Sequence, residues 1–312
     1  DLNLEIAILR NLRHPNVVLF MGSCRVPPDM CIVMEYCPRG SLDKVLYEAP
    51  PAQLDCKRRM KMLLQTARGM QFLHSLTPPL VHRDLKPGNL LVTNNYDIKV
   101  CDFGISMSKT KTVASATASV GTPQYAAPEI MMNNTYTEKI DVWSFGMILW
   151  EVVAAQRPFA HFSNVLQVIN AVVMKGERPP PLMEIPSTRA LWRDSGEALL
   201  GLHRLQLECT DTDATRRPSF DSIQATLEKL FALVGRGPDP ESLTPEPVPK
   251  AWETNSANQV QPFERTSDSS VSGPKDEGGE PLSSGPAYAL ANPSARIDDT
   301  AVMARPEAKH TA

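Results

Sequence analysis

No apolar run in the 312 residues approaches the roughly twenty needed to cross a bilayer. No charged-then-apolar leader opens the chain either. The visible stretch is therefore expected to be cytoplasmic, with membrane or receptor segments upstream left open. A charge excess of one sign is also missing: 32 Lys+Arg against 35 Asp+Glu give a formal net charge of -3. That balance argues against a nucleic-acid or anionic-membrane surface. The six cysteines, Cys24, Cys31, Cys37, Cys56, Cys101 and Cys209, form no Cys-x-x-Cys pair and no zinc spacing with histidine, so they read as reduced thiols. Repeats of solenoid period are lacking in the folded part. An initial Met is lacking too; Asp1 opens the chain inside a helical pattern, and the natural start is expected to lie upstream.

What is present divides near Val234. The hydrophobic content of 42% is ample for a packed core, but residues 235–312 are crowded with Pro, Ser, Gly, Asp and Glu and carry no sustained apolar periodicity. This segment cannot bury enough surface to offset its ordering entropy and is expected to be a disordered tail. Residues 1–234 read as one domain. Ile6, Leu9 and Leu12 predict a helix from Leu2 to Leu12, closed by His14-Pro15-Asn16. Two β-rich runs follow, 17–24 and 30–36, and Ser41 is placed to cap a brief helix. Met60, Leu63, Leu64, Ala67, Met70 and Leu73 predict a long amphipathic helix, and later helices centre on 140–153, 165–174, 198–207 and 223–233. Strands first and helices after predict an α+β chain with two unequal lobes.

Between the long helix and the later ones lies the run Val81-His82-Arg83-Asp84-Leu85-Lys86-Pro87-Gly88-Asn89-Leu90-Leu91-Val92. Asp102-Phe103-Gly104 stands eighteen residues past Asp84 (102 minus 84), and Ala127-Pro128-Glu129 comes later. A lone three-residue string means little, but three motifs in this order and separation resemble the eukaryotic protein kinase domain. The wording around Arg13 to Gly22, Leu76 to Asp84 and Asp141 to Gly146 resembles the tyrosine-kinase-like group, near the Raf and mixed-lineage kinases. The resemblance runs from Leu2 to about Val234.

The resemblance implies roles, each of which has an ordinary packing or turn reading when taken alone. Asp84 would orient a substrate hydroxyl and accept its proton, and Lys86 would place a cation beside the transferring phosphate. Asn89 and Asp102 would hold Mg2+ through oxygen ligands, bridging the phosphates of ATP. Met34 would guard the adenine pocket, Glu35 to Cys37 would form the hinge that grips adenine, and Leu91 would lie beneath the base. Glu5 would pair with a strand lysine, and Phe103 would join the apolar stack linking the lobes. Glu129 and Arg217 would form a buried ion pair, and Asp141 would accept hydrogen bonds from the catalytic-loop backbone. The runs Asp84 to Asn89 and Gly121-Thr122-Pro123 look like the serine/threonine pattern, with Thr122 hydrogen-bonding toward Asp84 and Lys86.

The partners implied are protein substrates bearing Ser or Thr and an upstream activating kinase. Phosphate on Thr112, Ser115, Thr117 or Ser119 would pair with Arg83 and order the loop, although Ser/Thr crowding also suits any mobile loop. The small lobe is expected to be incomplete: no glycine-rich loop and no Val-Ala-x-Lys strand occurs in the sequence. Residues 1–312 alone are therefore expected to bind ATP weakly and transfer phosphate negligibly. A non-catalytic, pseudokinase-like binding module and a tyrosine kinase remain the alternatives.

Overall fold

The structure, a computed structural model, describes residues 2–24, 31–49, 53–102 and 122–235, without the side chains of residues 2–5. Helix α1 spans Leu2–Leu9 and buries Ile6 and Leu9. It stops short of Leu12, the expected end. The amides of Asn11 and Leu12 bond three residues back, to Ile8 and Leu9, so the last turn tightens ahead of Pro15, which disfavours helix at the residue before it. Leu12 is still buried beyond the helix end.

Strands β1 (Phe20–Cys24) and β2 (Cys31–Met34) pair antiparallel, from Phe20 opposite Met34 to Cys24 opposite Cys31, with the register shifting between Phe20 and Gly22. A second hairpin joins β3 (Leu90–Val92) to β4 (Ile98–Val100). Residues 16–18 lace the two regions together. The Val18 amide donates to the Val100 carbonyl (2.9 Å), the Val100 amide donates to the Asn16 carbonyl (2.9 Å), and the buried Asn16 side chain donates to the Ile98 carbonyl (3.0 Å).

Helix α2 is Leu42–Glu48; Ser41 occupies its N-cap position, but its hydroxyl makes no capping bond, and the backbone of Ser41 instead bridges to Leu91. Helix α3 (Cys56–His74) has a true cap, because the Asp55 carboxylate accepts the Arg58 amide at 2.8 Å. It buries the predicted stripe of Met60, Leu63, Leu64, Ala67, Met70 and Leu73. The helical body is completed by α4 (Pro128–Met131), α5 (Lys139–Ala154), α6 (Val165–Ile169), α7 (Pro186–Leu191), α8 (Gly196–Cys209) and α9 (Phe220–Phe231). The expected helix 165–174 is broken: α6 passes into a π-helical turn at Asn170–Met174. Helix α5 is buried on every side from Ile140 to Ala154, as befits a helix that is apolar all round. It is the axis on which the loops of the site are hung. The chain is thus an α+β, two-lobed fold, with the short β1–β2 hairpin near its start and a mainly helical lobe that holds the β3–β4 hairpin after α3.

Candidate active site

The site begins at the first turn of α5, where the buried carboxylate of Asp141 points at the loop before Asp84. Its Oδ2 accepts the His82 amide (2.7 Å) and its Oδ1 accepts the Arg83 amide (2.9 Å). His74 Nε2, from the end of α3, lies 2.8 Å from Oδ2. Two amides that would otherwise be orphaned in the loop are thereby satisfied by one side chain. Arg83 takes a left-handed φ of 70° immediately before Asp84.

His82 is fully buried, and burial lowers its pKa, keeping the ring neutral. Its Nε2 donates to the Cys101 carbonyl (3.0 Å), while Nδ1 accepts the Asp84 amide (3.4 Å). This imidazole therefore bridges the loop of Asp84 to the end of β4. The Asp84 carboxylate Oδ2 accepts Lys86 Nζ at 2.7 Å and Asn89 Nδ2 at 3.1 Å, and Asn89 Nδ2 also donates to the Asp84 carbonyl at 2.8 Å. Both amide protons of Asn89 are thus spent on Asp84, leaving Oδ1 as the hard oxygen of that side chain. The Asn89 carbonyl accepts the Cys101 amide (3.0 Å), so Asp102 begins one peptide from Asn89. Asp102 is exposed and holds a left-handed φ of 55°, a conformation that a non-glycine residue adopts at a cost. Asn89 Oδ1 and the Asp102 carboxylate are the donor chemistry that a hard divalent cation takes; among the described residues no cluster of three His, Cys, Asp or Glu offers another metal set.

On the strand side, Met34 and Leu91 are half-buried against the core. The Glu35 amide donates to the Leu19 carbonyl (2.9 Å), and its Oε1 takes both the Leu19 amide (2.7 Å) and Lys99 Nζ (2.8 Å). Its side chain therefore ties the 35–37 segment to β4, a job the sequence did not disclose. Cys37 is buried, burial pushes its thiol up, and its carbonyl accepts the Gly40 amide (3.1 Å). Among the described residues nothing bonds the Glu35 carbonyl or the Cys37 amide, an acceptor and a donor two residues apart.

Farther out, Arg217 grips Glu129 through two parallel bonds, Nη1 to Oε1 at 2.6 Å and Nη2 to Oε2 at 2.9 Å. Thr122 does not make the bond expected of it. Among the described residues its hydroxyl bonds neither Asp84 nor Lys86, and the Thr122 carbonyl closes a turn on the Tyr125 amide (3.1 Å). The Arg83 side chain is exposed and pairs with no described residue. Phe103, Thr112, Ser115, Thr117 and Ser119 lie outside the described residues, as does the side chain of Glu5.

Sequence reasoning missed a second cluster on α5. Tyr47 Oη donates to Glu151 Oε1 (2.6 Å), Tyr125 Oη donates to Glu151 Oε2 (2.5 Å), and Ser144 Oγ donates to the Tyr125 carbonyl (2.8 Å). Desolvation raises the pKa of Glu151 and of both tyrosines. The only signal was that Ser144 and Glu151, seven apart, share one face of a helix.

Comparison with known proteins gives a consistent picture. The sequence profile of the family described as protein tyrosine and serine/threonine kinase matches residues 1–227. The chain is 42% identical over 247 residues to the probable serine/threonine-protein kinase SIS8 of Arabidopsis thaliana, covering 79% of this chain and 22% of that protein. It is 43% identical over 228 residues to the serine/threonine-protein kinase CTR1 of the same plant (73% and 26% covered). The dual specificity protein kinase shkC of Dictyostelium discoideum is 38% identical over 229 residues (73% and 42% covered). The chain thus spans well under half the length of each of these relatives.

Proposed function

Since the chain belongs to the protein tyrosine and serine/threonine kinase family, in its tyrosine-kinase-like group, we propose that it serves to transfer the terminal phosphoryl group of ATP to serine and threonine hydroxyls of protein substrates. The observation that carries this reading is the mutual contact of Asp84, Lys86 and Asn89, with Asp102 one peptide beyond the Cys101–Asn89 hydrogen bond. In this reading Asp84 Oδ accepts the proton of the attacking hydroxyl as its oxygen closes on phosphorus. Lys86, 2.7 Å from that carboxylate, stands where the transferring oxygens gather negative charge. Asn89 Oδ1 and the Asp102 carboxylate would hold Mg2+, which neutralises phosphate charge when bound. The Glu35 carbonyl and the Cys37 amide supply the acceptor and donor for adenine, between Met34 and Leu91. Arg83 would take phosphate placed on Thr112, Ser115, Thr117 or Ser119 by an activating kinase, Phe103 would join the lobe-linking stack, and Glu5 would pair with a strand lysine. The catalytic domain is residues 1–234, acting in the cytoplasm, with 235–312 as its tail.

Serine/threonine preference is supported by Lys86 within Asp-Leu-Lys-Pro-Gly-Asn and by the likeness to two plant proteins named serine/threonine kinases. The test is a chimera in which a relative's glycine-rich loop and lysine strand precede Leu2. It is expected to phosphorylate a general protein substrate on Ser and Thr, and Asp84→Asn is expected to lower kcat by about 10²- to 10⁴-fold. Residues 1–312 alone are expected to turn over negligibly. A folded chimera that binds ATP yet transfers nothing would overturn the catalytic reading, and phosphotyrosine as the main product would overturn the specificity.

A further inference from the structure

The hairpin that leads into the 35–37 segment carries two thiols directly across from each other. Cys24 ends β1, Cys31 begins β2, and the register pairs them as the last rung of the ladder. Residues opposed in an antiparallel ladder stand about 4.5 to 5.5 Å apart at Cα, whichever type of pair they form. A disulfide spans roughly 4.4 to 6.8 Å between Cα atoms. Opposed side chains also leave the sheet on the same face. Both cysteines are free thiols; Cys31 is exposed and Cys24 half-buried, so an oxidant in solvent reaches the pair.

The remaining thiols are placed differently. Cys37, Cys101 and Cys209 are buried, and Cys56 Sγ donates to the Leu191 carbonyl at 3.0 Å. Burial pushes Cys56 up to about 11, Cys101 up to about 12, and Cys37 and Cys209 upward as well, which holds all four as unreactive thiols.

We propose that Cys24 and Cys31 form a reversible cross-strand disulfide, making the end of this hairpin an oxidation site for a soluble disulfide such as oxidised glutathione. The Cys31 thiolate attacks one sulfur of glutathione disulfide, breaking its S–S bond and releasing one glutathione thiolate. The Cys24 thiolate then attacks Cys31 Sγ in the mixed disulfide, forming the cross-strand bond and releasing the second glutathione, so two protein thiols are oxidised and one glutathione disulfide is reduced. The bond fixes the β1–β2 register at the end of the ladder away from the Phe20–Met34 rung.

The experiment equilibrates the native chain in glutathione buffers of increasing oxidised fraction, blocks free thiols, digests with trypsin and reads the peptides by mass spectrometry. Cleavage after Arg13, Arg25 and Arg39 puts Cys24 in peptide 14–25 and Cys31 in peptide 26–39, which also contains Cys37. The expected result is a linked 14–25/26–39 species whose fragments carry the link on Cys31 and the blocking group on Cys37. It should persist in Cys37→Ser, vanish in Cys31→Ser, and give way in Cys24→Ser to a glutathione adduct on Cys31. The idea is overturned if the native protein gives no linked species at any buffer ratio, if the link maps to Cys37, or if linkage appears only after the fold is melted in urea.

Discussion

Arg217 has no exposed side-chain surface, and all three of its guanidinium nitrogens are engaged: two bonds to Glu129, one from Nε to the Asp211 carbonyl (2.9 Å) and one from Nη1 to the Lys139 carbonyl (3.0 Å). Removing one member of such a pair leaves the other charge desolvated and alone, at about 3 to 5 kcal/mol. Arg217→Ala is therefore expected to lower the melting temperature by on the order of 10 °C for a domain of this size, read by circular dichroism. A shift within the scatter of the melts would mean that the pair holds nothing together. The residue scale also shows where sequence stops. Asp84, Lys86 and Asn89 were legible because local motif spacing puts them on one short loop. Glu151 was not, since its donors Tyr47 and Tyr125 come from segments 104 and 26 residues away.

Among the elements, α3 makes the sharpest case for packing over propensity. Gly69 sits in its interior, where alanine ordinarily favours helix by about 1 kcal/mol. A Cβ at this position would stand 2.7 Å from the Asn16 carbonyl oxygen and 2.9 Å from Val100 Cγ2. That carbonyl is the acceptor for the Val100 amide, so it cannot retreat without breaking the link between residues 16–18 and β4. Gly69→Ala is expected to destabilise the chain by about 1 to 3 kcal/mol in urea melts, the cost of overpacking. A higher denaturation midpoint would show that helix propensity governs instead. The longer helices and their core faces were readable from period, whereas the short α4 and α7 were not. The early end of α1, the π turn after α6 and the unused hydroxyl of Ser41 were not either, and for Ser41 the backbone bridge to Leu91 decides where that residue sits.

For the whole molecule, three histidines from separate segments, His14, His82 and His203, have pKa values lowered from 6.5 chiefly by burial. A histidine whose folded pKa lies below its unfolded value contributes stability that is complete above the unfolded pKa and is lost as pH falls through the window beneath it. Melting temperature is therefore expected to be level above about pH 7 and to fall as the solution is acidified below about 6.5. Glu151 opposes this, because its raised pKa means that acidification relieves a buried charge. Glu151→Gln should accordingly steepen the acid-side loss. Melts at pH 7.5, 6.5 and 5.5 check the histidine argument, which a melting temperature that rises on acidification would contradict, and comparing Glu151→Gln with the native chain down to about pH 4.5 checks the opposing carboxyl.

The order of elements, the catalytic-loop wording and the apolar faces of α1, α3 and α5 follow from the sequence itself, because they rest on spacing along a chain whose helical and strand periods are fixed by backbone geometry. Only the folded chain decided that the helix carrying Asp141, α5, would also hold Tyr125 through Ser144 and Glu151, that Glu35 would reach Lys99, and that Cys24 would face Cys31. Those are contacts between groups brought together by burying a common core, and no local pattern encodes which distant donor a buried acceptor will meet.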